Sequence, residues 1–193
     1  MFKTIKIALL SFVCALMSLS TYAQQDINFY SNRAEEKINL KDYNGALEDF
    51  KTVLGMAQKA GDKSAVANAY NRRSLVFSFM KDYKNAIAEL EKAVVADKQN
   101  TTAYLDAMAT HAKNGLKDYG LSLNYLNRAI AFNKENGIAE DGSIYYERGR
   151  LKIEKLDSKE DGCADLKKAI KILAVSNPAL LIHPQRYLDK YCK

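Results

Sequence analysis

Four segments of this chain are copies of one another: KDYNGALEDFKTVL at Lys41–Leu54, KDYKNAIAELEKAV at Lys81–Val94, KDYGLSLNYLNRAI at Lys117–Ile130, and a worn DSKEDGCADLKKAI at Asp157–Ile170. Such self-similarity constrains the fold more than any local motif, because a unit that cannot bury its apolar face alone must stack on its neighbours. A small residue recurs at Ala46, Ala86, Ser122 and Gly162, and a large apolar one follows four places later at Phe50, Leu90, Leu126 and Leu166. Three further on come Val53, Ala93, Ala129 and Ala169. Spacings of four and then three mark one face of a helix. The columns step by 40, 36 and 40 residues, so the period is slightly elastic.

Upstream of each copy lies a second helical stretch with an aromatic and, four residues on, a small or modest residue: Tyr30 with Ala34, Tyr70 with Ser74, Tyr104 with Met108, Tyr145 with Gly149. Each unit therefore reads as helix, turn, helix. These units resemble tetratricopeptide repeats, whose first helix carries an aromatic followed by Gly or Ala and whose second carries Ala, a large apolar residue, then Ala. The pairs Asp42-Tyr43, Asp82-Tyr83 and Asp118-Tyr119 fall where the family places its interhelix turn. The family period is ~34 residues, so a longer one implies longer helices or turns, and AGDKSAVANAY at Ala60–Tyr70 resembles the long-repeat version. The fourth unit keeps ERG at Glu147–Gly149 but loses the aromatic of the Asp-Tyr pair. The resemblance spans residues 28–173 and implies an all-α fold, a right-handed α-solenoid of stacked repeats. Its units cover 28–60, 64–99, 101–134 and 143–173, a capping segment covers 178–193, and 24–193 form one domain.

Turn chemistry agrees. Asp42, Asp82, Asp118 and Asp157 each precede a helical run, where a carboxylate accepts from unpaired backbone N–H groups of the first turn. Gly61, Gly115, Gly137 and Gly142 stand where a left-handed φ would end a helix. Both prolines, Pro178 and Pro184, follow the last repeat.

Residues 1–23 have the order of a secretory signal peptide: Lys3 and Lys6, an apolar run IALLSFVCALMSL, and Ala23 at the expected cut. The run is short for a bilayer span. A lipid anchor would need a cysteine after small residues beyond the run, whereas Cys14 sits inside it behind Phe12-Val13. The AQQ junction and repeat style resemble exported proteins of Bacteroidetes-type bacteria, which implies the periplasm or cell envelope, with secretion as the alternative. Export leaves Cys163 and Cys192 in an oxidising compartment, where they form a candidate disulfide that would clip the terminal segment down; the alternative is two free thiols.

The net charge of +6 falls to +4 without Lys3 and Lys6. Residues 24–147 carry 16 basic and 17 acidic groups, residues 148–193 carry 11 and 6. The positive field, with Lys167, Lys168 and Lys171 on one segment, belongs to the last unit, and suits either a solvated helix face or contact with an anionic partner. Outside the cytoplasm nucleic acid is the least available of these.

No catalytic or metal-binding constellation stands out. His111 and His183 are too scattered for a zinc site, and neither a phosphate loop nor a G-x-S-x-G elbow occurs. Glu35, Glu36, Asp49 and Glu91 read as ordinary members of charged helix surfaces. Seven tyrosines occupy repeated framework positions; Tyr125 and Tyr146 do not. The chain is expected to be no enzyme and to need no cofactor. What the resemblance implies is a concave wall of first helices holding a protein or peptide: Asn28, Ser31 and Glu35; Asn68, Asn71, Arg72 and Leu75; Leu105 and Ala109; Tyr146 and Arg150. The Lys and Asn set by which some family members clamp a terminal carboxylate is not evident. The expectation is a peptide-binding scaffold, with an envelope-docking module using the basic C-terminal unit as the rival.

Overall fold

The computed structural model describes residues 25–193; the predicted signal peptide, with Cys14, lies outside the described residues. Helix α1 covers 25–39. It is followed by α2 (Tyr43–Ala60), α3 (Lys63–Phe79), α4 (Tyr83–Ala96), α5 (Thr101–Thr110), α6 (Tyr119–Glu135), α7 (Gly142–Lys155), α8 (Lys159–Ser176) and α9 (Ile182–Tyr191). A π-helical turn, His111–Leu116, extends α5, and a 3₁₀ turn, Pro178–Leu180, precedes α9. Helix α1 packs on α2 through Ala34, Ala46 and Phe50 and the Arg33–Asp49 ion pair; α3/α4, α5/α6 and α7/α8 pair likewise, each pair packs on the next, and α9 closes the stack against α8. No strand occurs among the described residues. This is the expected all-α solenoid.

The hairpin turns show why the Lys-Asp dipeptide recurs. Lys41, Lys81 and Lys117 sit at φ of 61°, 62° and 58°. The Lys41 N–H donates to the Ile38 carbonyl (2.9 Å) and the Asp42 N–H to that of Lys37 (2.8 Å), which satisfies the last carbonyls of α1. Asp42 then caps α2 by accepting from the Gly45 N–H (3.0 Å), and Asp82 and Asp118 cap α4 and α6 in the same way. One lysine ends a helix and one aspartate starts the next. The fourth turn departs: Asp157 takes the left-handed position (φ 49°) and is not a cap, and Ser158 donates to Asp161 instead. Of the glycines expected at left-handed positions, Gly61 and Gly137 are there and Gly115 and Gly142 are not.

The small column brings the two helices of each unit together. Ala46, Ala86 and Ser122 are at most 1% exposed, as are Phe50, Leu90 and Leu166 of the large column. In the last unit both partners are glycine. A Cβ on Gly149 would stand 2.8 Å from the Gly162 carbonyl oxygen, so only hydrogen fits at that contact.

A second recurring contact crosses each pair except the third. Asp49, 3% exposed, accepts from Arg33 and Lys37; Glu89, 4% exposed, from Arg73 and Lys92; Asp165, 6% exposed, from Arg148 and Lys152. Arg33 and Arg148 also lie over the rings of Tyr30 and Tyr145. Asp49 is therefore no surface carboxylate, as its sequence context suggests, but an acid enclosed between two helices. In the third pair the same columns hold Ala107 and Tyr125, so aromatic volume replaces the ion pair.

That third pair also carries two extra residues: Tyr104 to Ser122 is 18 places, against 16 for Tyr30 to Ala46 and for Tyr70 to Ala86. The π turn takes up the difference. Gly115 within it lies under the Tyr83 ring, where an added Cβ would come within 2.2 Å of the ring carbon Cγ. Gly115→Ala is expected to cost ~1–3 kcal/mol by overpacking. Gly55→Ala, mid-helix in open space, should instead gain ~0.5–1 kcal/mol from helix propensity. Urea melts of both variants check the contrast, and equal responses would contradict it.

Candidate peptide-binding groove

Helix α1 places Asn28, Ser31, Asn32 and Glu35 at i, i+3, i+4 and i+7, one stripe down a single face. Helix α3 repeats the device with Asn68, Asn71, Arg72 and Leu75. Between the two stripes runs a groove of ≈ 220 Å³, walled by Asn28, Ser31, Asn32, Glu35, Asn68 and Arg72 and floored by Phe50 and Val53 of α2. The Arg72 guanidinium reaches Glu35 across it at 3.0 Å, an ion pair exposed on both sides (46% and 43%). Such a pair is worth ~0–1 kcal/mol, so it opens readily. Ser31 donates its hydroxyl to the Ile27 carbonyl at 2.7 Å, which leaves its oxygen as an acceptor toward the groove.

Five of the eleven residues expected on the concave wall meet here. Asn71 and Leu75, 40% exposed, continue the α3 stripe outside the cavity. Leu105 and Ala109 stand apart from this groove: at 2% and 3% exposed they belong to the largest apolar cluster, because apolar side chains in those columns are drawn between the helices.

Tyr146 and Arg150 are also not free wall residues. The terminal helix α9 lays Tyr187 edge-on against Tyr146 (6.2 Å), and the Arg150 guanidinium sits over both rings, at 5.5 and 5.3 Å. Arg150 also reaches Glu147 (3.3 Å) and Glu154 (3.6 Å). The Arg150 Nε and the Tyr187 hydroxyl are buried without a hydrogen-bond partner, and each such atom costs ~1–3 kcal/mol. Cys163 and Cys192 are bridged, with Cα atoms 5.7 Å apart, which ties α9 to α8 as the sequence reading expects.

A second groove, between α5 and α7, escaped the sequence reading. It measures ≈ 380 Å³ and is lined by Thr102, Asp106, Asn133, Asp141 and Ser143 among others. Thr102 and Asp106 fall in the columns of Asn28 and Asn32, which was the available signal. Thr102 donates its hydroxyl to Asn133 Oδ1. Burial, with the charges of Glu147 and Asp141, pushes the Asp106 carboxyl above the usual range, and Lys113 only partly opposes this. Lys113 is itself engaged with Glu147 at 2.6 Å.

The basic end is less positive than its composition. Lys168 pairs with Glu140 at 2.6 Å, while Lys167 and Lys171 remain exposed. Arg148 and Lys152 are spent on Asp165. Among the described residues no group of histidine, cysteine and carboxylate side chains is placed to hold a metal ion. His111 is partly buried, which lowers its pKa, and it packs against Tyr83 at 6.0 Å. No helix among the described residues is long and apolar enough to cross a membrane.

Residues 67–100, most of α3 with α4 and the turn after it, match the family model "Tetratricopeptide repeat". No curated protein is detectably similar in sequence. Several solved structures share the fold. BtubC (BKLC) from P. vanneervenii is 14% identical with a TM-score of 0.62, over 78% of this chain; this chain spans 64% of BtubC. The MamA protein is 18% identical with a TM-score of 0.57, over 86% of this chain and 90% of MamA. A Podosopora anserina protein with nearly identical TPR-like repeats is 12% identical with a TM-score of 0.62, over 86% of this chain and 84% of its own. The chain thus folds as a tetratricopeptide-like solenoid, of which residues 67–100 match the family model.

Two aspartate-to-asparagine substitutions should act with opposite sign. The Arg33 hydrogen bond, with help from Lys37 and against burial, holds the Asp49 carboxyl below its ordinary range. Its contribution is present above the unfolded-state pKa and is lost as pH falls through the lowered folded value. Asp49→Asn should therefore destabilise at neutral pH, and its deficit should vanish toward acid. Asp106 has a raised pKa, so its ionised form burdens the fold above that value. Asp106→Asn should stabilise at neutral pH, with the gain fading as pH falls through the raised folded value and gone below the unfolded-state value of ~4. Thermal melts of both variants across pH check the signs; a loss at Asp106 would show that its carboxylate has a partner in the fold.

Proposed function

We propose that this chain is a non-enzymatic scaffold that holds an extended peptide or a partner helix in the groove between α1 and α3. The observation carrying this reading is the pair of polar stripes that face each other over an apolar floor. Asparagine amides offer a donor and an acceptor in the geometry of a peptide bond, so Asn28, Asn32 and Asn68 suit pairing with a client's main chain. Phe50 and Val53 beneath them suit an apolar side chain of that client. Glu35 and Arg72, joined at the surface, can exchange each other for a charged group on the client at little cost. Export after removal of residues 1–23 completes the proposal and puts the scaffold in the periplasm or cell envelope. The pairing of Lys168 with Glu140 weighs against the basic end as the main docking surface.

Short random peptides selected on the purified protein supply a client. Asn68→Ala and Arg72→Ala should each weaken the selected peptide by ~1–2 kcal/mol, about 5–30-fold. Melting should hardly change, because both side chains are exposed. Neutralising Lys167 and Lys171 should leave affinity unchanged; if only that change reduces binding, with steep salt dependence, the groove is not the site. Intact-mass analysis of the protein from its native host should give a new N-terminus near Gln24. A product retaining Met1 would contradict export by cleavage.

A further inference from the structure

The bridge between Cys163 and Cys192 does not lie in the core. Both residues are half-buried and line an open recess of ≈ 520 Å³ together with Lys159, Glu160, Lys167 and Lys193. Lys159 and Lys167 stand one turn before and one turn after Cys163 on α8, on the same face. The ammonium groups of Lys159 and Lys167, on either side of Cys163 and opposed by Glu160, favour a thiolate over a thiol there, and a stabilised thiolate is a good leaving group in disulfide exchange.

We propose that this disulfide is an exchange site for a dithiol reductant and that its opening releases α9. A reductant thiolate attacks Cys192 Sγ, and the electron pair of the broken S–S bond leaves on Cys163 Sγ, between Lys159 and Lys167. The mixed disulfide on Cys192 is resolved by the reductant's second thiol, which leaves the reductant oxidised. Both protons of the dithiol end on Cys163 and Cys192, so two electrons and two protons are transferred.

Release follows from what else holds α9. Its buried anchor is Pro184, and Tyr187 packs on Tyr146 and Arg150. That contact encloses two polar atoms without partners, the Tyr187 hydroxyl and Arg150 Nε, both of which gain water when the helix departs. Without the bridge, α9 is a short terminal helix held by Pro184 and the Tyr187 contact alone, a local unit that opens at a lower free energy than the repeats. Its departure uncovers Tyr146 and Arg150, which continue the row of first-helix residues. Only this last consequence, that a client reaches the fourth repeat when the cap is open, rests on the groove reading.

The test needs no client, so failure of the groove reading leaves it intact. The oxidised protein is treated with dithiothreitol in native buffer, quenched by alkylation and weighed, and amide hydrogen exchange is followed in both redox states. Reduction should go to completion while α1–α8 keep their protection, and residues 182–191 should exchange about tenfold faster or more. Cys192→Ser should reproduce the reduced pattern without reductant. Lys159→Gln with Lys167→Gln should slow reduction roughly three- to tenfold. The proposal is overturned if the bridge yields only under conditions that unfold α1–α8, if residues 182–191 stay protected in both the reduced protein and the serine variant, or if the double glutamine variant is reduced at the parent rate.

Discussion

The contact between the two helices of each pair is the constraint on which the rest depends. A small residue at Ala46, Ala86, Ser122 or Gly162 lets the backbones approach, and a large one at Phe50, Leu90, Leu126 or Leu166 fills the space beside it. Beside that apolar seam a buried acid is held by arginine from the opposite helix in three of the four pairs. A buried acid that loses its partners typically costs ~3–5 kcal/mol, so this contact penalises any slip of one helix along the other. Fixed register is what aligns the stripe on α1 with the stripe on α3. The groove is thus a by-product of how the hairpins pack.

The third pair obeys the constraint by other means. It gives up the ion pair for Ala107 and Tyr125, whose ring fills the acid's place and whose hydroxyl points to Glu91 of the preceding pair at 3.4 Å. It also absorbs its extra residues in a π turn, with Gly115 pressed under Tyr83. Both departures tie the third pair to the second, and the largest apolar cluster runs through α3 to α7. At the C-terminal end the same packing face would be left open. Helix α9 covers it as a first helix of a further repeat would, with a disulfide in place of a second helix.

Much of this was legible in the sequence because periodic apolar columns report burial directly. The helix pairs and the caps at Asp42, Asp82 and Asp118 follow from spacing and turn chemistry, whereas the bridge between Cys163 and Cys192 was one of two alternatives for the two cysteines that the expected export leaves. The buried acids were not, since a charged residue on a helix looks solvated until its partner is identified. Their signal was a coupled column: Arg33 with Asp49, Arg73 with Glu89, Arg148 with Asp165, and both charges absent together at Ala107 and Tyr125. The wall residues were legible only where the column was polar. Leu105 and Ala109 went to the core by the ordinary hydrophobic effect. Tyr146 and Arg150 went under α9, whose docking depends on a segment outside the repeat pattern.

The groove between α1 and α3 is most directly tested by amide NMR of the protein titrated with a selected peptide. The account predicts shift changes concentrated in residues 28–35 and 65–72, with the exposed face of α8 around Lys167 and Lys171 unmoved. Shifts confined to α8, or spread over the second helices with none on α1 and α3, would contradict it.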